Sequence, residues 1–444
     1  MFVFYKVVKG TAFSSISPTD VAILANYLFC VNKNGTIEQT ISPDDPRYTS
    51  TLDEASRSGT LQVIPDNHYL LPGFIDLHIH APQWPQAGLA LDKPLYDWLN
   101  DYTFPLEAKY DDLTFATRVY EDLVDTLLSL GTTTGLFFAT THKESSYQLA
   151  RICAQKGQRG LVGKVVMDDA EANPDFYRDA STNLALQDTE EFIKRVQTLN
   201  KNTKQGVYPV VTPRFIPSCT DDALYGLGQL AAKYDVHVQS HCSESTWEHS
   251  YVLDRFGKTD TEMLQEFGLL GDKSVMAHCG HLTDADAHIF AETGTAVAHC
   301  PISNVYFGNQ ITRVKQLIHD FKVDVGLGSD ISGGFSPSLY DNIKQTVMVS
   351  RILSDQTTVP HSLTLNEAFY LATAGGGEAL SLPIGRLAEG YAFDVQVVAS
   401  GPSLISEETP LDAIFQKLLY LAQPEHIKEV WVQGNLVHSK KGDH

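Results

Sequence analysis

From residue 74 to about residue 380, short apolar runs alternate with stretches of helical periodicity. Eight runs stand out, at 74–80, 132–139, 161–167, 207–213, 235–241, 274–278, 295–300 and 323–330. Helix-like segments at 113–130, 188–199, 222–234, 260–268 and 284–293 lie between most of them. Strand–helix alternation repeated about eight times predicts an α/β fold, a (β/α)₈ barrel of the TIM type.

The two ends of the chain have another character. The first seventy or so residues are strand-like, and Asn34-Gly35 between apolar stretches suits a two-residue hairpin turn. Residues 41–60 are rich in Ser, Asp, Pro and Thr and read as a surface loop. Beyond residue 383 the helical pattern fades, and 391–400 and 429–438 are again strand-like. The tail is expected to rejoin the N-terminal segment in a small β-sandwich built from both chain ends. The expected division is 1–72, 73–382 and 383–444, with the barrel in the middle.

Composition narrows the function classes. The chain has 444 residues, enough for a large barrel and a smaller appended domain. Its 43% hydrophobic and 20% charged residues are ordinary for a globular protein. A formal net charge of −21 disfavours nucleic acid and anionic membranes as partners, and a small neutral or cationic substrate is the easier fit. Six widely spaced cysteines form no C-x-x-C pair, which favours a reducing cytoplasm over a disulfide framework. The start, Met1 to Lys6, lacks the features of a secretory leader, and the Val21–Val31 run is too short to span a bilayer.

Chemistry enters on the first barrel strand, Phe74-Ile75-Asp76-Leu77-His78-Ile79-His80. Strict alternation puts Phe74, Asp76, His78 and His80 on one face, and Ile75, Leu77 and Ile79 on the other. Two inward histidines at the C-terminal end of a barrel strand can reach one metal ion, and active sites of this fold sit at that end. A histidine pair alone is more readily a hydrogen-bonded core pair. However, His241, His278 and Asp330 close three further predicted strands. Imidazole nitrogens and a carboxylate suit Zn²⁺, with Fe²⁺ as an alternative.

These residues in this order, His78-Ile79-His80 after Pro72-Gly73-Phe74-Ile75-Asp76 and then His241, His278 and Asp330, resemble the amidohydrolase superfamily along nearly the whole chain. Two-metal members carry a carboxylated lysine at the end of the fourth strand. Here that strand, Val207 to Phe215, has no lysine, which points to the single-metal deaminase branch. His80-Ala81-Pro82-Gln83, Pro213-Arg214-Phe215 and His241-Cys242-Ser243-Glu244 resemble the guanine deaminases, as does the structural segment Trp98 to Pro105; Trp84 after Gln83 is read as tolerated variation. The resemblance implies one Zn²⁺ per chain held by His78, His80, His241 and Asp330. It implies Glu244, Asp330 and His278 as catalytic groups, and Gln83, Arg214, Phe215 and His278 as contacts for guanine. Whether His278 bonds the metal directly stays open. A homodimer is also implied.

Several features are set aside. His142-Lys143-Glu144 matches half of the other zinc deaminase motif, but no Pro-Cys-x-x-Cys follows. His299 is expected to be structural, and Cys242, Cys279 and Cys300 to be packing thiols. Gly375-Gly376-Gly377 lacks the Lys-Ser or Lys-Thr of a phosphate loop. Two rival readings remain. One is a deaminase of the same branch acting on another purine, a pterin or a triazine. The other is an inactive scaffold, against which the intact ligand set and Glu244 argue.

Overall fold

The eight apolar runs become eight parallel strands that pair in chain order: Phe74–His80, Thr132–Phe138, Arg159–Val166, Val207–Pro213, His237–Cys242, Ser274–His278, Ala296–His299 and Val325–Leu327. The computed structural model describes residues 4–308, 310–400 and 408–440, so the first three residues of the start read for a leader lie outside it. Closure comes from main-chain bonds between the first strand and the segment that follows the eighth. Asp330 N donates to His78 O at 2.9 Å, and His80 N donates to Ile331 O at 2.8 Å. The glycines of the last strand permit this approach. A Cβ at Gly328 would stand 2.7 Å from His78 Cβ, and one at Gly326 would stand 2.5 Å from Leu77 Cδ1.

The helices fall where the periodicity places them, including Leu113–Ser129, Thr182–Asn200, Asp221–Tyr234, Asp260–Glu266 and Asp284–Thr293. Their starts are fixed by side-chain caps. Thr220 accepts from Ala223 N, and Thr259 and Thr283 form reciprocal caps with Glu262 and Asp286. Among the described residues, no helix is long and apolar enough to cross a membrane.

Strict alternation fails on the first strand. Its register against Thr132–Phe138 shifts between Asp76 and Ile79, so Leu77 and His78 together oppose Leu136. Ile75 and Leu77 share an apolar cluster with Leu136, Leu161, Val210, Ala277 and Ala298. A cluster drawn from strands around the barrel lies inside it. Ile79 instead packs with Ala116, Tyr120 and Leu149 of the surrounding helices. The bulge thus separates Ile75 and Leu77 from Ile79, and it carries His78 onto the inner side after two apolar inner residues.

Both chain ends form a second sheet, as expected. Its order runs Asn435–Ser439, Ile427–Val432, Val395–Ala399, His68–Pro72, Lys6–Ser15, Val21–Val31, Ile37–Ile41, and Leu61–Val63 branches from Lys6–Ser15. Val395–Ala399 runs antiparallel to His68–Pro72, joining tail to head immediately before the first barrel strand. Gly35 takes φ 79° at the Val21–Val31 to Ile37–Ile41 turn. The region read as a loop at 41–60 is corrected: it contains the helix Tyr48–Ser58. Polar composition hid a stripe of Tyr48, Leu52 and Ala55 at helical spacing, which packs on Val7, Leu28 and Cys30. Gly59 ends the helix at φ 71°.

A buried ion pair ties the barrel to this sheet. Arg159 at the start of the third barrel strand pairs with Asp394, both almost fully buried. Arg159 also donates to Thr134 Oγ1 at 3.1 Å and Gln433 Oε1 at 2.7 Å, and Asp394 Oδ1 accepts from Gln433 N at 2.7 Å.

Candidate active site

Side chains from four strand ends converge at the C-terminal mouth of the barrel. His78 and His80 come from the first strand, His241 from the fifth and His278 from the sixth, and Asp330 follows the eighth. Asp330 Oδ1 lies 3.3 Å from His78 Nε2 and 3.7 Å from His80 Nε2. The Nε2 atoms of His80 and His241 are 3.0 Å apart. Two of these residues hold left-handed backbone, His278 at φ 70° and Asp330 at φ 49°. That region is unfavourable for residues with a Cβ, and such strain concentrates at functional sites.

The donor set fits a small divalent ion. Ligands about 2.0–2.2 Å from a tetrahedral centre stand roughly 3.3–3.6 Å from one another, and the observed separations bracket that range. His78 Nε2 and His278 Nε2 are buried without a hydrogen-bond partner. His241 Nδ1 lies 2.5 Å from Arg214 O, so Nδ1 carries the proton and Nε2 keeps its lone pair. Burial, followed by the charge of neighbouring histidines, holds His78, His80 and His241 well below the usual imidazole range. Neutral imidazole is the form that binds metal.

The tautomer of His278 follows from its neighbours. Thr312 Oγ1 donates its one proton to His278 O at 2.7 Å and therefore accepts from Asn304 Nδ2 at 2.9 Å. Asn304 Oδ1 then faces His278 Nδ1 at 2.8 Å and accepts its proton. A neutral His278 consequently presents an unprotonated Nε2, 3.7 Å from Glu244 Oε1. Glu244 is buried; burial, with the charge of Asp330 adding to it, pushes its carboxyl up to about 8. At neutral pH it holds a proton it can give away.

Gln83, Arg214, Phe215 and Glu244 line one cavity with His80, His241 and Asp330. Gln83 lies on the short 3₁₀ turn after His80, and Arg214-Phe215 follows the fourth strand. Leu95, Trp98, Leu99 and Phe307 complete an apolar rim. The segment from Trp98 was expected to be structural, and it also supplies cavity wall. Arg214 forms a two-bond ion pair with Glu107, and its guanidinium lies 5.0 Å from the centre of the Phe104 ring. Phe138 ends the second strand with its ring about 5 Å from those of His78, His80 and His241, which keeps that side of the donors apolar.

Of the features set aside, His299 is buried at the end of the seventh strand with Nδ1 unpartnered, outside the candidate metal groups. His142 precedes the helix Lys143–Lys156 and lines a different cavity. Cys242, Cys279 and Cys300 are free and buried. Gly375-Gly376-Gly377 lies inside the short helix Ala374–Ala379, with Gly376 packed against Ile75.

Sequence reasoning missed Glu107, Phe138, Asn304 and Thr312. Asn304 carried the one usable signal, as a polar residue five positions after the strand-end His299. Glu107 is a lone acidic residue at the end of a proline-containing helical turn and offers no pattern.

An amidohydrolase family model matches residues 69–437. The guanine deaminase of Dictyostelium discoideum is 36% identical over 97% of this chain and 98% of its own length. The human guanine deaminase is 35% identical over 97% of this chain and 96% of its own. Among solved structures, the guanine deaminase from C. acetobutylicum with bound guanine in the active site superposes with a TM-score of 0.89. It is 32% identical, and the match covers 98% of this chain and all of that one.

Proposed function

The chain belongs to the amidohydrolase family, and on that basis we propose that it hydrolyses guanine to xanthine and ammonia. The observation carrying this reading is the shared cavity: Gln83, Arg214 and Phe215 line it beside His80, His241, Glu244 and Asp330. In this reading His78, His80, His241 and Asp330 hold one Zn²⁺ per chain, with Fe²⁺ as the alternative. When bound, the ion supplies a water acidic enough to act as a nucleophile near neutral pH.

The remaining chemistry belongs to the chain. Asp330 takes the proton of the water that adds to C2 of the base. Glu244, held protonated by burial, gives its proton to a ring nitrogen. The proton taken by Asp330 then passes, with Glu244 assisting, to the amino group that leaves as ammonia, and Glu244 recovers a proton from the hydroxyl added at C2. His278, with Nε2 unprotonated, accepts a hydrogen bond from the water or the substrate and orients it. Arg214 donates to the carbonyl oxygen of guanine, Gln83 pairs with the purine edge, and Phe215 packs on the ring. The rim of Trp98, Leu99 and Phe307 limits water around the base. The reading extends to a homodimer working in the cytoplasm. Six buried free thiols suit a reducing compartment.

Ammonia release from a panel of aminopurines, pterins and triazines tests the proposal. Guanine should turn over fastest. Inert guanine alongside an active alternative base would move the reading to that base and leave the hydrolytic chemistry intact.

A further inference from the structure

Gln83 and Arg214 reach the cavity from different loops, yet one buried carboxylate stands behind both. Glu107 is fully buried and lies outside the ring of residues that line the cavity. Its Oε1 accepts from Gln83 Nε2 at 2.9 Å and from Arg214 Nη2 at 3.2 Å. Its Oε2 accepts from Arg214 Nη1 at 2.7 Å. Forked charge-assisted bonds of this kind fix orientation strongly.

A glutamine amide can present either its NH₂ or its oxygen to a ligand, and the two ends have nearly the same shape. A carboxylate can only accept, so Gln83 turns its NH₂ towards Glu107. Gln83 Oε1 is then left buried and without a partner, on a side chain that lines the cavity. Arg214, whose charge the same carboxylate balances, brings only donors. The cavity therefore offers an acceptor and a cationic donor whose orientations share one origin.

We infer that Glu107 is a specificity-determining positioning residue, which fixes the donor–acceptor polarity of Gln83 beside Arg214 and so selects bases with a lactam edge over bases with an amidine edge. A lactam places an N–H next to a carbonyl, giving the first to Gln83 Oε1 and the second to Arg214. The adenine edge is the reverse. Its ring-nitrogen lone pair faces Oε1 and its amino hydrogens face the guanidinium, and buried mismatches of this kind discriminate strongly. The inference rests on the guanine reading for the substrate itself, but the polarity of the pair is independent of which base reacts.

The test compares competitive inhibition by hypoxanthine and adenine, using metal-loaded wild type, Glu107→Gln and Gln83→Met. Wild type should bind hypoxanthine at least about tenfold tighter than adenine, the scale of one mismatched buried hydrogen bond. Glu107→Gln can offer either amide end to Gln83, so the ratio should narrow by at least about fivefold while metal content stays unchanged. KM for guanine should rise more than kcat falls. Gln83→Met keeps the Glu107–Arg214 pair, so it serves if Glu107→Gln does not fold, and it should narrow the ratio as well. An unchanged ratio in folded, metal-loaded Glu107→Gln, or in Gln83→Met should the first variant not fold, overturns the inference. Guanine turnover by wild type is read separately, and its absence removes the guanine reading without touching the ratio.

Discussion

The Nε2 atoms of His80 and His241 face each other at 3.0 Å across the barrel mouth, although 161 residues separate them in sequence. Two neutral imidazoles gain little from such closeness, whereas a shared cation turns it into binding energy. Stripping metal with a chelator should abolish turnover, and Zn²⁺ should restore it. At a thousandfold excess of ion over its dissociation constant, binding stabilises the fold by about 4 kcal/mol. For a chain of this length that corresponds to a Tm about 4 °C higher in the loaded form. His241→Ala should lose both the bound metal and the Tm increment; retention of a full equivalent of Zn²⁺ by this variant would count against the ligand set.

Glu244 gives a prediction with a sign. Its carboxyl is raised to about 8 by burial, with Asp330 adding to the shift, so the proton-donating form exists below that value and is lost above it. The alkaline limb of kcat/KM should therefore fall as pH rises through about 8. Glu244→Gln should keep its metal and lose turnover by at least about a hundredfold. A variant with near-normal turnover would take Glu244 out of the mechanism.

Asn304 should matter through His278. Asn304→Ala removes the acceptor that holds the Nδ1 proton in place, so His278 can present the wrong tautomer to Glu244. Supporting groups of this kind are worth about 10–100-fold in activity. The expected result is a fall in kcat of that size at unchanged metal stoichiometry, with substantial recovery in Asn304→Asp, whose carboxylate still accepts. Equal kcat in wild type and Asn304→Ala would refute the role.

The Arg159–Asp394 pair yields a stability prediction. Asp394→Ala strands a buried guanidinium and should destabilise the protein by about 3–5 kcal/mol, read as a lower urea midpoint. The active-site groups do not contact this pair, so the folded fraction should keep its specific activity.

The barrel and the cluster of imidazole and carboxylate donors at its mouth were legible because both repeat. Strand after strand ends in a polar residue, and the order His78, His80, His241, His278, Asp330 survives folding unchanged. What stayed hidden lacks periodicity. Glu107 acts through a tertiary contact from a short helical turn, and Asn304 through a network that needs Thr312 eight residues away. The bulge at Leu77–His78 was invisible because alternation assumes one residue opposite one, and here two oppose Leu136. The helix Tyr48–Ser58 was masked by polar composition that outweighed three apolar positions.

Arg214 divides its labour between main chain and side chain. Its carbonyl oxygen holds the proton of His241 Nδ1, while its guanidinium helps line the cavity with Gln83. The contact that fixes the His241 tautomer is therefore indifferent to the amino acid at this position. A lineage, or an engineer, could exchange the guanidinium for another recognition group and retarget the pocket to a different heterocycle without surrendering the hydrolytic centre, provided the charge left on Glu107 is answered in the same step.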